Sequence, residues 1–214
     1  MNARLKQIIA RISFYIGVVM FALFCGFPMI WMVLTSIKPD RDILTATPVF
    51  WSWNVHLDHY RNLFDQTDFL IYFVNSITVA SSATLLTIVI ATLAAYGITR
   101  FRFTGREYIA GGMLFTYMFA PILIVVPFYI LMKNYGLINT KLGLVLAYTT
   151  FSLPFSMWLL RSFFQSIPLD LEEAAMTDGA SRPQAVIRVI VPLAFPGVIA
   201  VSIFTFIVAW NDYL

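Results

Sequence analysis

Side chains able to do chemistry gather in two places along this chain and are missing from the stretches between. The first group lies between Lys38 and Asp68, where Asp40, Asp42, Asp58, Asp65 and Asp68 alternate with Phe50, Trp51, Trp53 and Tyr60. His56 and His59 stand three apart here, beside Asp58. Helical spacing would bring the imidazoles together, but two histidines without firm further ligands do not make a zinc site. A surface lid over the ends of neighbouring elements, rings down and carboxylates up, is the preferred reading. The second group lies between Arg161 and Arg188 and carries Asp170, Glu172, Glu173 and Asp178.

Five stretches hold no Asp, Glu, Lys or Arg: 12–37, 69–99, 108–132, 142–160 and 189–211. Each is long enough to cross a hydrocarbon core of about 30 Å. With 60% hydrophobic residues, 12% charged residues and a mean hydropathy of +0.81 over 214 residues, lipid must be part of the solvent. The 20 Phe and 5 Trp suit spans flanked by interfacial aromatics. Cys25 is the single cysteine, so disulfide frameworks and thiolate metal sites are excluded. The formal charge of +3 is spread between apolar runs, which reads as topology and not as a nucleic-acid stripe. The first apolar stretch is too long for a signal peptide, and no small-residue cleavage site follows it.

No span carries a carboxylate, lysine or histidine. A proton-coupled secondary transporter commonly keeps a titratable group at membrane depth, and an intramembrane metal enzyme needs ligands there. The coupling device is therefore expected outside the membrane. Orientation follows from the basic residues. With the N-terminus inside, Arg4, Lys6, Arg11, Arg100, Arg102, Arg106, Arg161, Arg182 and Arg188 are inner, against Lys38, Arg41, Arg61, Lys133 and Lys141 outside. Nine against five favours a cytoplasmic N-terminus and a cytoplasmic loop at 161–188.

The elements that position these groups are helices throughout. The second stretch is rich in small residues (Ala80, Ser81, Ser82, Ala83, Thr84, Ala91, Ala94, Ala95, Gly97), which permit close helix approach. They fit either internal packing or an interface with a partner subunit. Pro121 and Pro127 in the third stretch and Pro154 in the fourth are expected to kink or locally unwind their helices. In the 161–188 loop, Asp170 followed by Glu173 approximates a capping box that opens a short helix, and Gly179 is placed to end it in a left-handed turn. Ser181, Pro183 and Gln184 start a second helix, and Pro192 and Pro196 mark the beginning of the fifth span. Ala174 and Ala175 give a face with almost no side chain, suited to pressing into a groove of another protein.

The run Glu173-Ala174-Ala175, three residues, Gly179, then Pro192 thirteen further on, placed between two spans, resembles the cytoplasmic motif of binding-protein-dependent ABC importer permeases. Val189 and Val191 stand where that family usually has Ile and Leu. Phe73-Val74-Asn75-Ser76, Ala94-Ala95-Tyr96-Gly97, the run Arg100 to Arg106, Tyr135 to Thr140 and Trp210-Asn211 look like its carbohydrate branch, of the maltose and glycerol-phosphate type.

The resemblance implies an all-α polytopic helical bundle in one transmembrane permease domain over 1–214, with Glu172, Glu173, Ala174, Ala175, Asp178 and Gly179 coupling to an ATPase. It implies a homologous second permease, a dimer of ATP-binding subunits, an extracytoplasmic solute-binding protein, and a sugar or sugar derivative as cargo. ATP and Mg would be bound by the ATPase subunits, since this chain has no phosphate-binding Gly-rich loop and no cofactor of its own. A permease for an amino acid or polyamine is the alternative, and a secondary transporter stands behind it. Such permeases usually have six spans, so a continuation beyond Trp210-Asn211-Asp212-Tyr213 into another apolar run is expected.

Overall fold

The computed structural model describes residues 3–43, 45, 49–118 and 121–211. Asp212, Tyr213 and Leu214, at the expected outer edge of the fifth span, lie outside the described residues. Every regular element among the described residues is helical. The chain separates into two compact units, 1–70 and 71–214.

The first unit is built on α1 (Ala3–Ser36), with the short α2 (Asp40–Ile43) and α3 (Asp58–Asp65) behind it. No part of the most apolar window of α1 is buried within the chain, as suits a helix whose apolar surface is turned to lipid. The segment after α1 folds back over its end. Ser36 Oγ lies 2.7 Å from Tyr60 Oη, and the His56 N–H donates to the Ile37 carbonyl at 2.9 Å. Lys38 is buried, with its ammonium over the Trp31 ring and hydrogen-bonded to the Val49 carbonyl. A buried cation is tolerated when an aromatic face and a carbonyl replace its water. His59 Nε2 donates to the Lys38 carbonyl at 2.9 Å and lies 3.6 Å from Asp40, whereas His56 Nδ1 lies against the Asn54 carbonyl. Each imidazole thus has its own local partner. The segment caps the end of α1, as the lid reading expects.

The second unit continues α4 (Phe69–Arg100) into α5 (Arg106–Met118), α6 (Pro121–Asn134), α7 (Lys141–Ser166), α8 (Asp170–Thr177), α9 (Arg182–Ala185), a π-helical turn (Val186–Ile190), α10 (Val191–Leu193) and α11 (Phe195–Asn211). By length and apolarity α1, α4 and α7 each suffice to cross a membrane as single helices. α5 with α6, and α9–α10 with α11, do so as bent pairs, giving up to five crossings. The five uncharged stretches therefore correspond to three unbroken helices and two bent pairs.

The small residues of α4 face inward: Ala80, Ala83, Ala91 and Ala95 are fully buried. Ala80 and Ala83 pack with Tyr148 of α7 and Ala209 of α11, while Ala91 and Ala95 join Met157, Leu160, Phe164 and Val201. Of the two uses open to this stripe, internal packing is the one realised by these four alanines. Ser81 and Ser82 remain exposed.

The expected breaks are met in the third span, which bends near Pro121, while the fourth span runs as one helix through Pro154. Pro127 and Pro154 are carried inside α6 and α7. The third crossing bends by 100° between the helix ending at Met118 and the one running from Leu123, and α6 has Pro121 as its first residue. Proline is tolerated in a first helical turn because its missing N–H would have no partner there. The fifth crossing bends by 76° at Ala194. Pro196 has no N–H for the Pro192 carbonyl, and the helix breaks between them. The π-helical turn just before this bend lies where Pro192 has no donor for the Arg188 carbonyl, and the Val191 N–H reaches back five residues to Val186 instead.

Candidate functional site: the elbow between α7 and α11

α7 does not stop at Leu160 but runs on to Ser166, so the first six residues of the 161–188 loop extend the fourth span. The elbow proper is α8, the turn at Gly179, and α9 leading into the π-helical turn. α8 begins at Asp170, one residue too early for Asp170 to be its cap. Leu169 precedes it, already in helical conformation (φ −65°, ψ −31°), and no side chain caps it. The expected Asp170–Glu173 capping box is therefore absent. The Leu169 carbonyl instead accepts from the Glu172 and Glu173 N–H groups at 2.9 and 3.1 Å. Asp170, Glu172 and Glu173 still occupy the first turn, where negative charge complements the helix dipole.

The other end of α8 matches the sequence reading. Gly179 has φ +94°. The Ala180 N–H donates to the Ala175 carbonyl at 3.0 Å, and the Gly179 N–H to the Met176 carbonyl at 3.1 Å. These two bonds make a complete Schellman motif and require the left-handed residue. Gln184 Oε1 then accepts from the Ser181 N–H at 2.9 Å, the return half of a capping box that fixes the start of α9.

The expected coupling residues divide by direction. Glu173, Ala174, Asp178 and Gly179 are exposed, with Ala175 half-buried, so they form one accessible edge of the elbow. Glu172 is turned inward and is only 2% exposed. Its Oε1 accepts from the Tyr96 hydroxyl at 2.5 Å, and its Oε2 lies 3.2 Å from Arg100 Nε. That ion pair lacks hydrogen-bond alignment, and neither atom has another hydrogen-bond partner. Arg100 Nη2 donates to the Ile167 carbonyl at 3.0 Å, satisfying a group left open between α7 and α8.

The second limb of the elbow reaches the same place. The Arg182 guanidinium sits 5.3 Å over the Phe101 ring, which meets the Tyr96 ring edge-on at 5.8 Å. Arg161 adds a 2.6 Å ion pair to Glu107 at the start of α5. Tyr96, Arg100 and Phe101 were missed as site residues from sequence. The one available signal was that Arg100 follows directly on an uncharged span, where an arginine reaches the loops through its fork of donors.

A bundle of apolar helices with an alanine-bearing elbow between its fourth and fifth spans is the architecture expected of an importer permease subunit. A family model described as binding-protein-dependent transport system inner membrane component matches residues 83–214, and the chain belongs to that family. It is 36% identical to the inner membrane ABC transporter permease protein YcjP of Escherichia coli K12, over 98% of this chain and 75% of that one. It is 37% identical to the trehalose/maltose transport system permease protein MalG of Thermococcus litoralis, over 98% and 75%. It is 39% identical to the diacetylchitobiose uptake system permease protein NgcG of Streptomyces coelicolor, over 87% of this chain but 62% of that one. A crystal structure of a bacterial ABC transporter involved in the import of the acidic polysaccharide alginate superposes with a TM-score of 0.84 at 25% identity, covering all of this chain and 75% of that one.

Proposed function

We propose that this chain is the permease subunit through which an ATP-driven importer moves a sugar or sugar derivative, and that its elbow docks on an ATP-binding subunit. The observation that carries the docking is the exposed edge Glu173-Ala174-Ala175 closed by the Gly179 turn: a short, rigid helix end whose alanines permit close backbone approach. Sugar cargo is supported by the trehalose/maltose and diacetylchitobiose permeases among its relatives. The chain itself is non-catalytic in this reading. Its partners are a second permease, a pair of ATP-binding subunits holding ATP and Mg, and a solute-binding protein on the outer side. ATP binding biases a two-state arrangement of helices, and the elbow passes that bias to the spans.

The reading requires the N-terminus and elbow in the cytoplasm. In a Cys25→Ser background, cysteine at Asp58 should react with an impermeant thiol reagent on intact cells. Cysteine at Arg102 or Asp178 should react only after permeabilisation. The reverse pattern would place the elbow away from ATP and remove the coupling role.

A further inference from the structure

Both limbs of the elbow are tied to the same end of α4. Glu172 of α8 is held by Tyr96 and Arg100, the Ile167 carbonyl by Arg100, and Arg182 of α9 lies over Phe101. The connection to α11 has the opposite character, since it runs through a π-helical turn and a 76° bend at Ala194. One side is a buried polar lock and the other an interrupted helix. A buried charge pair resists separation because each group would be left without its counter-charge away from water. An interrupted helix bends where its backbone ladder is already broken.

We propose that Tyr96, Arg100 and Glu172 form a clamp that makes the elbow and α4 move as one body, while α11 follows through the joint at Ala194. The proposal rests on the docking reading and deepens it, because it names the span that receives the ATPase motion first. Glu172 and Arg100 are positioning residues in it. The edge that meets the ATPase is Glu173 to Ala175.

The test uses the whole importer, co-expressed with its partner subunits, purified and placed in lipid nanodiscs. In the Cys25→Ser background, spin labels at Thr177 on α8 and Leu93 on α4, both exposed, report the elbow-to-span distance. It is measured without nucleotide and with ATP trapped by vanadate. With the clamp intact the two distance distributions should agree to within about 1 Å, the scale of small helix shifts. In Glu172→Gln the distribution should move or broaden on trapping, while the ATP-binding subunit still co-purifies.

Tyr96→Phe removes one hydroxyl and should show the same nucleotide-dependent shift, and it serves if Glu172→Gln does not assemble. A merely structural role would lower yield or melting temperature and leave the nucleotide response unchanged. A shift already present with the clamp intact would overturn the proposal. So would clamp variants with no shift, or loss of the ATP-binding subunit from Glu172→Gln with Tyr96→Phe unshifted. Ala175→Trp is the separate control: if it leaves the ATP-binding subunit bound, the docking reading fails whatever the distances show.

Discussion

Arg100→Met should destabilise the subunit by about 3–5 kcal/mol, the scale for breaking a buried pair by removing one partner. Two losses combine. Glu172, 2% exposed, keeps its carboxylate with no cation beside it, and the Ile167 carbonyl loses the Arg100 Nη2 donor at 3.0 Å. Methionine fills much of the volume, so packing is not what fails. The thermal midpoint of the purified subunit should fall by about 10 °C, and limited proteolysis should cut first between Arg161 and Arg188. Adding Glu172→Gln to Arg100→Met should recover most of the loss. The amide oxygen still accepts from the Tyr96 hydroxyl, and no bare charge remains buried. A double variant as unstable as the single one would mean that Arg100 acts by packing and that the charge pair is incidental.

Gly143→Ala is the second large effect expected, and it concerns the start of α7. Thr140 caps this helix, its hydroxyl accepting from the Gly143 N–H at 3.0 Å while donating to the Leu137 carbonyl at 2.8 Å. A Cβ at position 143 would lie inside the van der Waals envelope of the Leu137 carbonyl oxygen, a backbone atom that moves only if the preceding loop moves. Shifting that loop would also open the cap. Overpacking and a lost cap together suggest about 2–4 kcal/mol. Gly111→Ala is the matched control, since nothing lies within 4 Å of a Cβ there. Melting curves of the two variants should separate clearly. Equal stability would show that the loop from Leu137 to Thr140 yields freely.

The spans were legible because lipid punishes charge: α4 and α7 coincide with uncharged stretches to within a residue at their N-terminal ends. The Gly179 turn was legible for a similarly local reason, since a Schellman motif asks for a residue at positive φ and glycine adopts it freely. The direction of Glu172 was not. Glu172 and Glu173 are adjacent, about 100° apart around a helix, and sequence alone does not say which points inward. That depends on Tyr96 and Arg100, more than 70 positions earlier. The Asp170 box failed because Leu169 had already entered the helical region, which moved the cap ahead of the acidic residue. The bends were half legible. Proline marks where a ladder loses a donor, but whether a helix breaks there, as at Ala194, or absorbs the loss, as around Pro154, is settled by the packing of neighbouring helices.

The docking proposed above requires that the Glu173–Gly179 edge hold the ATP-binding subunit. The most direct measurement is recovery of that subunit with affinity-tagged permease from membranes expressing the whole importer, comparing wild type with Ala175→Trp and Gly179→Asp. Bulk at Ala175 blocks close approach. A side chain at Gly179, where φ is +94°, opposes the left-handed turn that ends α8. Both variants should insert normally and lose about tenfold or more of the co-purified subunit, the scale of a disrupted interface hot spot, if docking runs through this edge. Undiminished recovery with both well-inserted variants would contradict it.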